Sequence, residues 1–187
     1  IFDVQTPSES IKNIEFYLPG KHNVMNALAA FAMADVYGVP AKKIKLSLST
    51  FKGVKRRFSY KIKTSDFVLI DDYAHHPTEI SAFLSSVRAL FPDKKITGIF
   101  QPHLFSRTRD FADGFARSLE MLDELILMEI YPAREEPIPG VTSSMLLEKV
   151  DLNEKVLISR EQLLRVVKER NPEVLVTMGA GDINQFV

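Results

Sequence analysis

Five short apolar segments, at residues 67–70, 96–100, 125–128, 156–158 and 174–178, constrain this chain more than any other feature. Each is short enough for a strand and too short for a buried helix, and a helical pattern separates each from the next. The clearest helix is expected at 77–91. There Ile80, Phe83, Leu84, Val87 and Leu90 recur at i, i+3, i+4 and i+7 behind a proline at the first turn. Further helices are expected at 109–122, 143–150 and 160–170. Continuous apolar strands joined by helices imply a mostly parallel sheet covered on both faces, with right-handed crossovers. The expected fold class is α/β, Rossmann-like.

The first third of the chain reads differently. A strand-like stretch at 11–18 ends in Pro19-Gly20, and an alanine-rich helix is expected from His22 to a stop at Gly38. A second helix follows Pro40, with Ile44, Leu48 and Phe51 on one face. Two helices and a strand enclose little core alone. The expected organisation is therefore a small helical remnant at 1–54, joined near Gly53 to a complete domain at 55–187. That domain opens with a period-two strand carrying Phe58, Tyr60 and Ile62. The chain starts at Ile1 instead of methionine, which suggests that it belongs to something longer.

Composition closes off several classes of function. The chain has no cysteine, which removes disulfides, thiolate metal sites and a cysteine nucleophile together. Its longest apolar run, residues 27–34, falls far short of the roughly 20 residues a bilayer crossing needs. A cytoplasmic protein without a membrane partner is expected. Basic and acidic residues number 24 each, and without interleaved aromatics this does not read as a nucleic-acid footprint. The balance is nonetheless uneven. No acid falls between Gly38 and Ser65, whereas Lys42, Lys43, Lys45, Lys52, Lys55, Arg56, Arg57, Lys61 and Lys63 all do. That segment is either a solvated face or a surface turned toward phosphates.

Ligands in an open parallel sheet sit beyond the carboxyl ends of the strands, and here those positions are densely polar. The first of the apolar segments is followed by Asp71-Asp72-Tyr73-Ala74-His75-His76-Pro77, and the second by Gln101-Pro102-His103-Leu104-Phe105-Ser106-Arg107-Thr108-Arg109-Asp110. The third is followed by Glu129 to Glu136 and the last by Gly179-Ala180-Gly181-Asp182. The aspartates suit a helix cap, a ligand or both. The adjacent histidines suit a metal, a phosphate or a satisfied loop. Arg107 and Arg109 suit a bidentate clamp or a solvated pair. A phosphate-cradling G-x-x-x-x-G-K-[S/T] loop is absent: Glu15 stands where its first glycine belongs, and Gly20-Lys21 is followed by His22. No G-x-S-x-G elbow is present.

Taken together, the segments resemble the Mur ligases, the ATP-dependent amide-bond enzymes of peptidoglycan assembly. The matching motifs are Gly20-Lys21-His22-Asn23-Val24-Met25-Asn26-Ala27, Arg56-Arg57-Phe58, the Asp71 to Glu79 stretch, Gln101-Pro102-His103 to Asp110, Tyr131 to Gly140, and Gly179 to Ile183. Within the family, Tyr73 and Thr78-Glu79 favour the branch that adds L-alanine over the one that reattaches a recycled tripeptide. The resemblance implies a parent with an N-terminal domain, a central ATPase domain and a Rossmann-like C-terminal domain. This chain would hold only the tail of the second and all of the third, and would be inactive alone. Implied substrates are UDP-N-acetylmuramate and L-alanine, joined through an acyl phosphate made with ATP and Mg2+. The metal's ligands would lie mainly in the missing parts, so none is assigned here.

The resemblance also implies roles. Asn23 and Asn26 would lie near adenine, Arg57 at the phosphates and Asp72 at the ribose. Tyr73, His75, His76 and Arg107 would line the place where amino acid and intermediate meet, with Arg107, and Arg109 in support, on the alanine carboxylate. Leu104 departs from the arginine many relatives carry after the Gln-Pro-His histidine, which puts a two-arginine clamp in question. A metal-dependent phosphoesterase built on Asp71, Asp72, His75, His76 and His103 is the competing reading.

Overall fold

The structure, a computed structural model, describes residues 1–185; the last two residues of the expected second domain lie outside the described ones. The chain divides into two compact units, Ile1–Val54 and Lys55–Val187.

The first unit pairs β1 (Phe2–Gln5) antiparallel with β2 (Ser10–Ile14) and carries α1 (Lys21–Val36) and α2 (Ala41–Thr50). The second strand ends at Ile14, short of the expected Leu18. Gly20 precedes α1 at φ 95°, and Gly38 follows it at φ 75°, both in the region that favours glycine. Val4, Ile11, Ile14, Ala27, Phe31, Ile44 and Leu48 form the core of this unit. Phe51 leaves the helical face assigned to it. It is the extended residue after α2, and its ring stacks on Phe16 at 6.3 Å. The helix α1 is apolar around most of its circumference, so Met25, Met33 and Val36 stay exposed within this unit.

In the second unit β3 (Ser59–Lys63), β4 (Val68–Asp72), α3 (Pro77–Leu90), β5 (Ile96–Phe100), α4 (Phe105–Asp110), α5 (Ala112–Leu119), β6 (Glu124–Met128), α6 (Ser143–Lys149), β7 (Lys155–Ile158), α7 (Leu163–Arg170) and β8 (Val174–Met178) follow in order. They build one six-stranded sheet, β3-β4-β8-β5-β6-β7, parallel except for β3. Val68, Ile70, Ile96, Phe100, Leu125, Leu127, Val174 and Val176 pack on one face with Phe83, Leu84, Phe115 and Leu146 of α3, α5 and α6. Leu69, Ile99, Ile126 and Leu175 pack on the other with Leu163 and Val166 of α7. Period-two alternation thus feeds two cores, and the α/β architecture read from the sequence is the one found.

Two expectations change in detail. The strand β4 continues through Asp71 and Asp72, so both acids are strand residues and neither caps α3. The helix expected at 109–122 is two helices that meet at Phe111. The lysines Lys61 and Lys63 belong to the edge strand β3, where charge discourages pairing with another chain.

Candidate functional site

The connection β7–α7–β8 runs back across the second face and inserts β8 between β4 and β5. This reversal opens a crevice at the carboxyl ends of β4, β8 and β5, where open α/β sheets bind ligands. Most of the polar loops singled out above converge there.

The tandem arginines divide their work. Arg56 takes φ 60° and Phe58 φ 49°, so the backbone turns sharply on both sides of Arg57. Arg56 points inward, with its side chain 12% exposed. Its Nε donates to Asp71 Oδ2 at 3.3 Å, Nη1 donates to Gly181 O at 3.2 Å, and Nη2 donates to Gly179 O. Asp71 is fully buried, and Thr177 Oγ1 donates to its other oxygen at 2.9 Å. This clasp ties the end of β4 to the glycine loop after β8. Arg57 points outward, with its guanidinium 5.9 Å from the Tyr73 ring and no hydrogen-bond partner among the described residues.

Asp72 is 5% exposed and accepts from Phe58 N and Ala74 N, each at 2.8 Å. Burial pushes its carboxyl up to about 6, against the pull of those two amides and of Arg57. It fixes the turn that aims Arg57, and one lone pair on each oxygen is left over.

From Arg57 a row of contacts runs across the crevice. Tyr73 meets His75 edge to face at 5.0 Å, His75 meets His103 at 6.2 Å, and Arg107 Nη1 lies 3.3 Å from His103 Nδ1. His103 stacks on Tyr131 at 5.7 Å. Burial, then Arg107 and His75, hold His103 below the usual imidazole range. His76 stands slightly aside: its Nδ1 accepts from Thr78 N at 3.3 Å as the cap of α3, and its ring meets Phe111 at 4.7 Å.

Close packing explains the glycines after β8. A Cβ on Gly179, at φ 145°, would lie 2.7 Å from Gln101 O, and one on Gly181 would lie 2.5 Å from Gln101 Oε1 and 2.8 Å from Tyr131. Gln101 also donates to Asp182 Oδ1 at 2.9 Å and accepts from Ile183 N at 3.1 Å. The loop is held rigidly against the end of β5.

Arg109 does not join Arg107. Two residues apart on one helix, they face different ways; Arg109 is exposed, pairs with Asp110 at 2.7 Å, and borders a cavity of about 600 Å³ whose lining includes none of the histidines. Leu104 precedes α4 at φ 74°. In the first unit, Asn23 is buried and its Nδ2 donates to Pro19 O at 2.7 Å, whereas Asn26 is exposed with no hydrogen-bond partner among the described residues.

The phosphoesterase reading lacks its ligand set. Among the described residues no three acids and histidines are grouped to hold a metal. Asp71 faces Arg56, Asp72 faces two amides, and His76 faces a helix end. Arg56, Gln101 and Glu79 were not singled out from sequence as site residues; His103 was named only as a ligand of the phosphoesterase reading, for which no grouped metal-ligand set is found among the described residues.

Comparison with known proteins agrees with this fold. The model of the Mur ligase, glutamate ligase domain, matches residues 56–181. The chain is 54% identical over all 187 residues to a UDP-N-acetylmuramate–L-alanine ligase of Flavobacterium johnsoniae, of which it covers 42%. It is 56% identical to one from Christiangramia forsetii, of which it covers 41%. The chain thus spans about two fifths of the curated relatives it matches. A crystal structure of a UDP-N-acetylmuramate–alanine ligase from Thermotoga maritima aligns with TM-score 0.72 and 32% identity, over 91% of this chain and 37% of that one. A murein peptide ligase from Psychrobacter arcticus aligns with TM-score 0.66 and 26% identity, over 92% and 36%.

Proposed function

Because the chain belongs to the Mur ligase family, we propose that it is the nucleotide- and amino-acid-binding part of a ligase that joins L-alanine to UDP-N-acetylmuramate. The parent reaction would be two transfers. A carboxylate of the sugar attacks the γ-phosphate of ATP to give an acyl phosphate, and the amine of alanine then attacks that carbonyl and expels phosphate. The unit at 1–54 is the tail of the central ATPase domain on this reading, which the exposed apolar side chains of α1 support. The unit from 55 onward is the C-terminal domain. Such a reaction belongs in the cytoplasm, where UDP-sugars and ATP meet.

One observation carries the reading: the row from Arg57 through Tyr73, His75 and His103 to Arg107 has a guanidinium at each end. Arg57, exposed and unpartnered, suits the ATP phosphates. Arg107, held by His103, suits the carboxylate of alanine, with Tyr73 beside it and without help from Arg109. His75 and His76 belong to the same wall, His76 by fixing the start of α3. Asp72 offers its remaining lone pairs to ribose; within the first unit, Asn26 keeps an amide without a hydrogen-bond partner among the described residues, and Asn23 secures the turn before α1. ATP would bind with Mg2+, which lowers the charge on the phosphates; on this reading its ligands lie mainly in the parts of the parent outside this chain, and none is assigned among the described residues.

The test is phosphate release by the full-length protein supplied with UDP-N-acetylmuramate, ATP and Mg2+. L-alanine should stimulate it. Stimulation by an alanyl-glutamyl-diaminopimelate tripeptide instead would replace this reading with the recycling ligase. The 187-residue chain alone should release no alanine-dependent phosphate.

A further inference from the structure

Three histidines face the crevice, and their hydrogen bonds give them different protonation patterns. A backbone N–H can only donate, so Thr78 N makes His76 Nδ1 an acceptor and leaves its proton on Nε2. A guanidinium also can only donate, so Arg107 does the same to His103. His75 is the reverse. Its Nδ1 lies 2.8 Å from the carbonyl of Tyr73, which can only accept, and 3.3 Å from Glu79 Oε2. The proton of neutral His75 therefore sits on Nδ1, and Nε2 carries a lone pair with no partner among the described residues.

We propose that His75 is the general base that takes a proton from the incoming amino acid's ammonium group, and that Glu79 is the positioning residue that holds its ring beside the Tyr73 carbonyl. The inference rests on the ligase reading above and deepens it. Glu79 lies at the third position of α3, and its Oε2 also accepts from His75 N at 3.0 Å, so one carboxylate holds both ends of the histidine. The arrangement follows the logic of a carboxylate–imidazole pair, in which the acid orients the ring and stabilises the imidazolium. The charged and titratable groups around the ring are Tyr73 from the β4 loop, Glu79 from α3 and His103 from the β5 loop. Arg107 of α4 lies behind His103, and Arg56 and Arg57 lie against Tyr73.

His75 Nε2 removes one proton from the ammonium, and the freed nitrogen lone pair attacks the acyl carbon. The C–N bond forms, the C–O bond to phosphate breaks, and phosphate leaves with that electron pair. The remaining extra proton on nitrogen passes to the departing phosphate, and His75 returns its own proton to water.

Hydroxylamine tests this in the full-length enzyme, because its nitrogen is already unprotonated at neutral pH and traps an acyl phosphate as a hydroxamate without a base. In His75→Asn, alanine-dependent turnover should fall about 100-fold, the scale of general-base catalysis, while hydroxamate formation stays within about twofold. Raising the pH should restore alanine turnover as alanine's own amine ionises. Glu79→Gln should lose about tenfold with alanine and nothing with hydroxylamine; a role limited to the helix end would move both alike. Retained hydroxamate also certifies that a variant is folded, and His75→Gln serves if His75→Asn is not. Folded variants that lose both activities, or neither, overturn the assignment to His75. A wild-type enzyme that makes no hydroxamate overturns the ligase reading itself.

Discussion

The two ends of the six-stranded sheet both bury charge, and they do so in opposite ways. At the amino end, Glu124 opens β6 at 1% exposure. Lys95 lies 3.1 Å from one of its oxygens, Thr97 Oγ1 donates to the same oxygen at 3.1 Å, and Arg170 lies 3.1 Å from the other. Lys95 also reaches Glu154 at 2.5 Å. Both Glu124 oxygens therefore face a cation, although Oε1 has no hydrogen-bond partner among the described residues. At the carboxyl end Asp71 is met by Arg56 on one oxygen and by Thr177 on the other. Arg57, Asp72, His75 and Arg107 all keep hydrogen-bonding capacity that the protein does not use. A buried charge met by cations supports the fold, whereas polar groups held in place by their neighbours with capacity to spare are what a ligand can complete.

Removing the cations should separate the two ends most sharply. Replacing Lys95 and Arg170 together by methionine strands Glu124 in the core and should cost about 3–5 kcal/mol in urea unfolding. Arg56→Met should come next, near 3 kcal/mol, because it leaves Asp71 buried without its cation. If it proves as harmless as a surface change, the clasp between β4 and the glycine loop is not what orders the crevice.

Titration of Asp72 is a finer probe. Its midpoint, followed by carboxyl carbon NMR, should lie near 6. A carboxyl raised by burial binds its proton more tightly in the folded chain. Its contribution to stability is therefore full below the unfolded value and is lost as pH rises through the window from about 4 to 6. A midpoint at the ordinary aspartate value would mean that water reaches Asp72. The smallest stability effect belongs to Arg57→Ala, within about 0.5 kcal/mol, since this exposed guanidinium makes no hydrogen bond among the described residues and only a distant ring contact with Tyr73. Nucleotide affinity should fall all the same, as calorimetry on the full-length protein would register.

Sequence reading recovered the strands β5 and β8 residue for residue, because apolar runs of strand length bounded by polar loops leave few alternatives. It stopped β4 at Ile70, since two adjacent acids look like a loop unless a buried arginine and two backbone amides are known to await them. Nothing in Arg56-Arg57 shows which side chain turns inward; two left-handed residues decide it. The separation of Arg109 from Arg107 was available in principle, because residues two apart on a helix do not share a face. The cap of α3 was not, because histidine is an uncommon cap and Asp71 and Asp72 were better candidates by type.

On the proposed function, the carboxyl end of the sheet holds an amino acid at Arg107 and a nucleotide at Arg57. Steady-state kinetics of Arg107→Ala in the full-length protein test it most directly. The KM for L-alanine should rise at least about tenfold while that for ATP stays within about twofold, as loss of a charge-assisted hydrogen bond predicts. Equal changes in both constants, or none in the alanine constant, would contradict it.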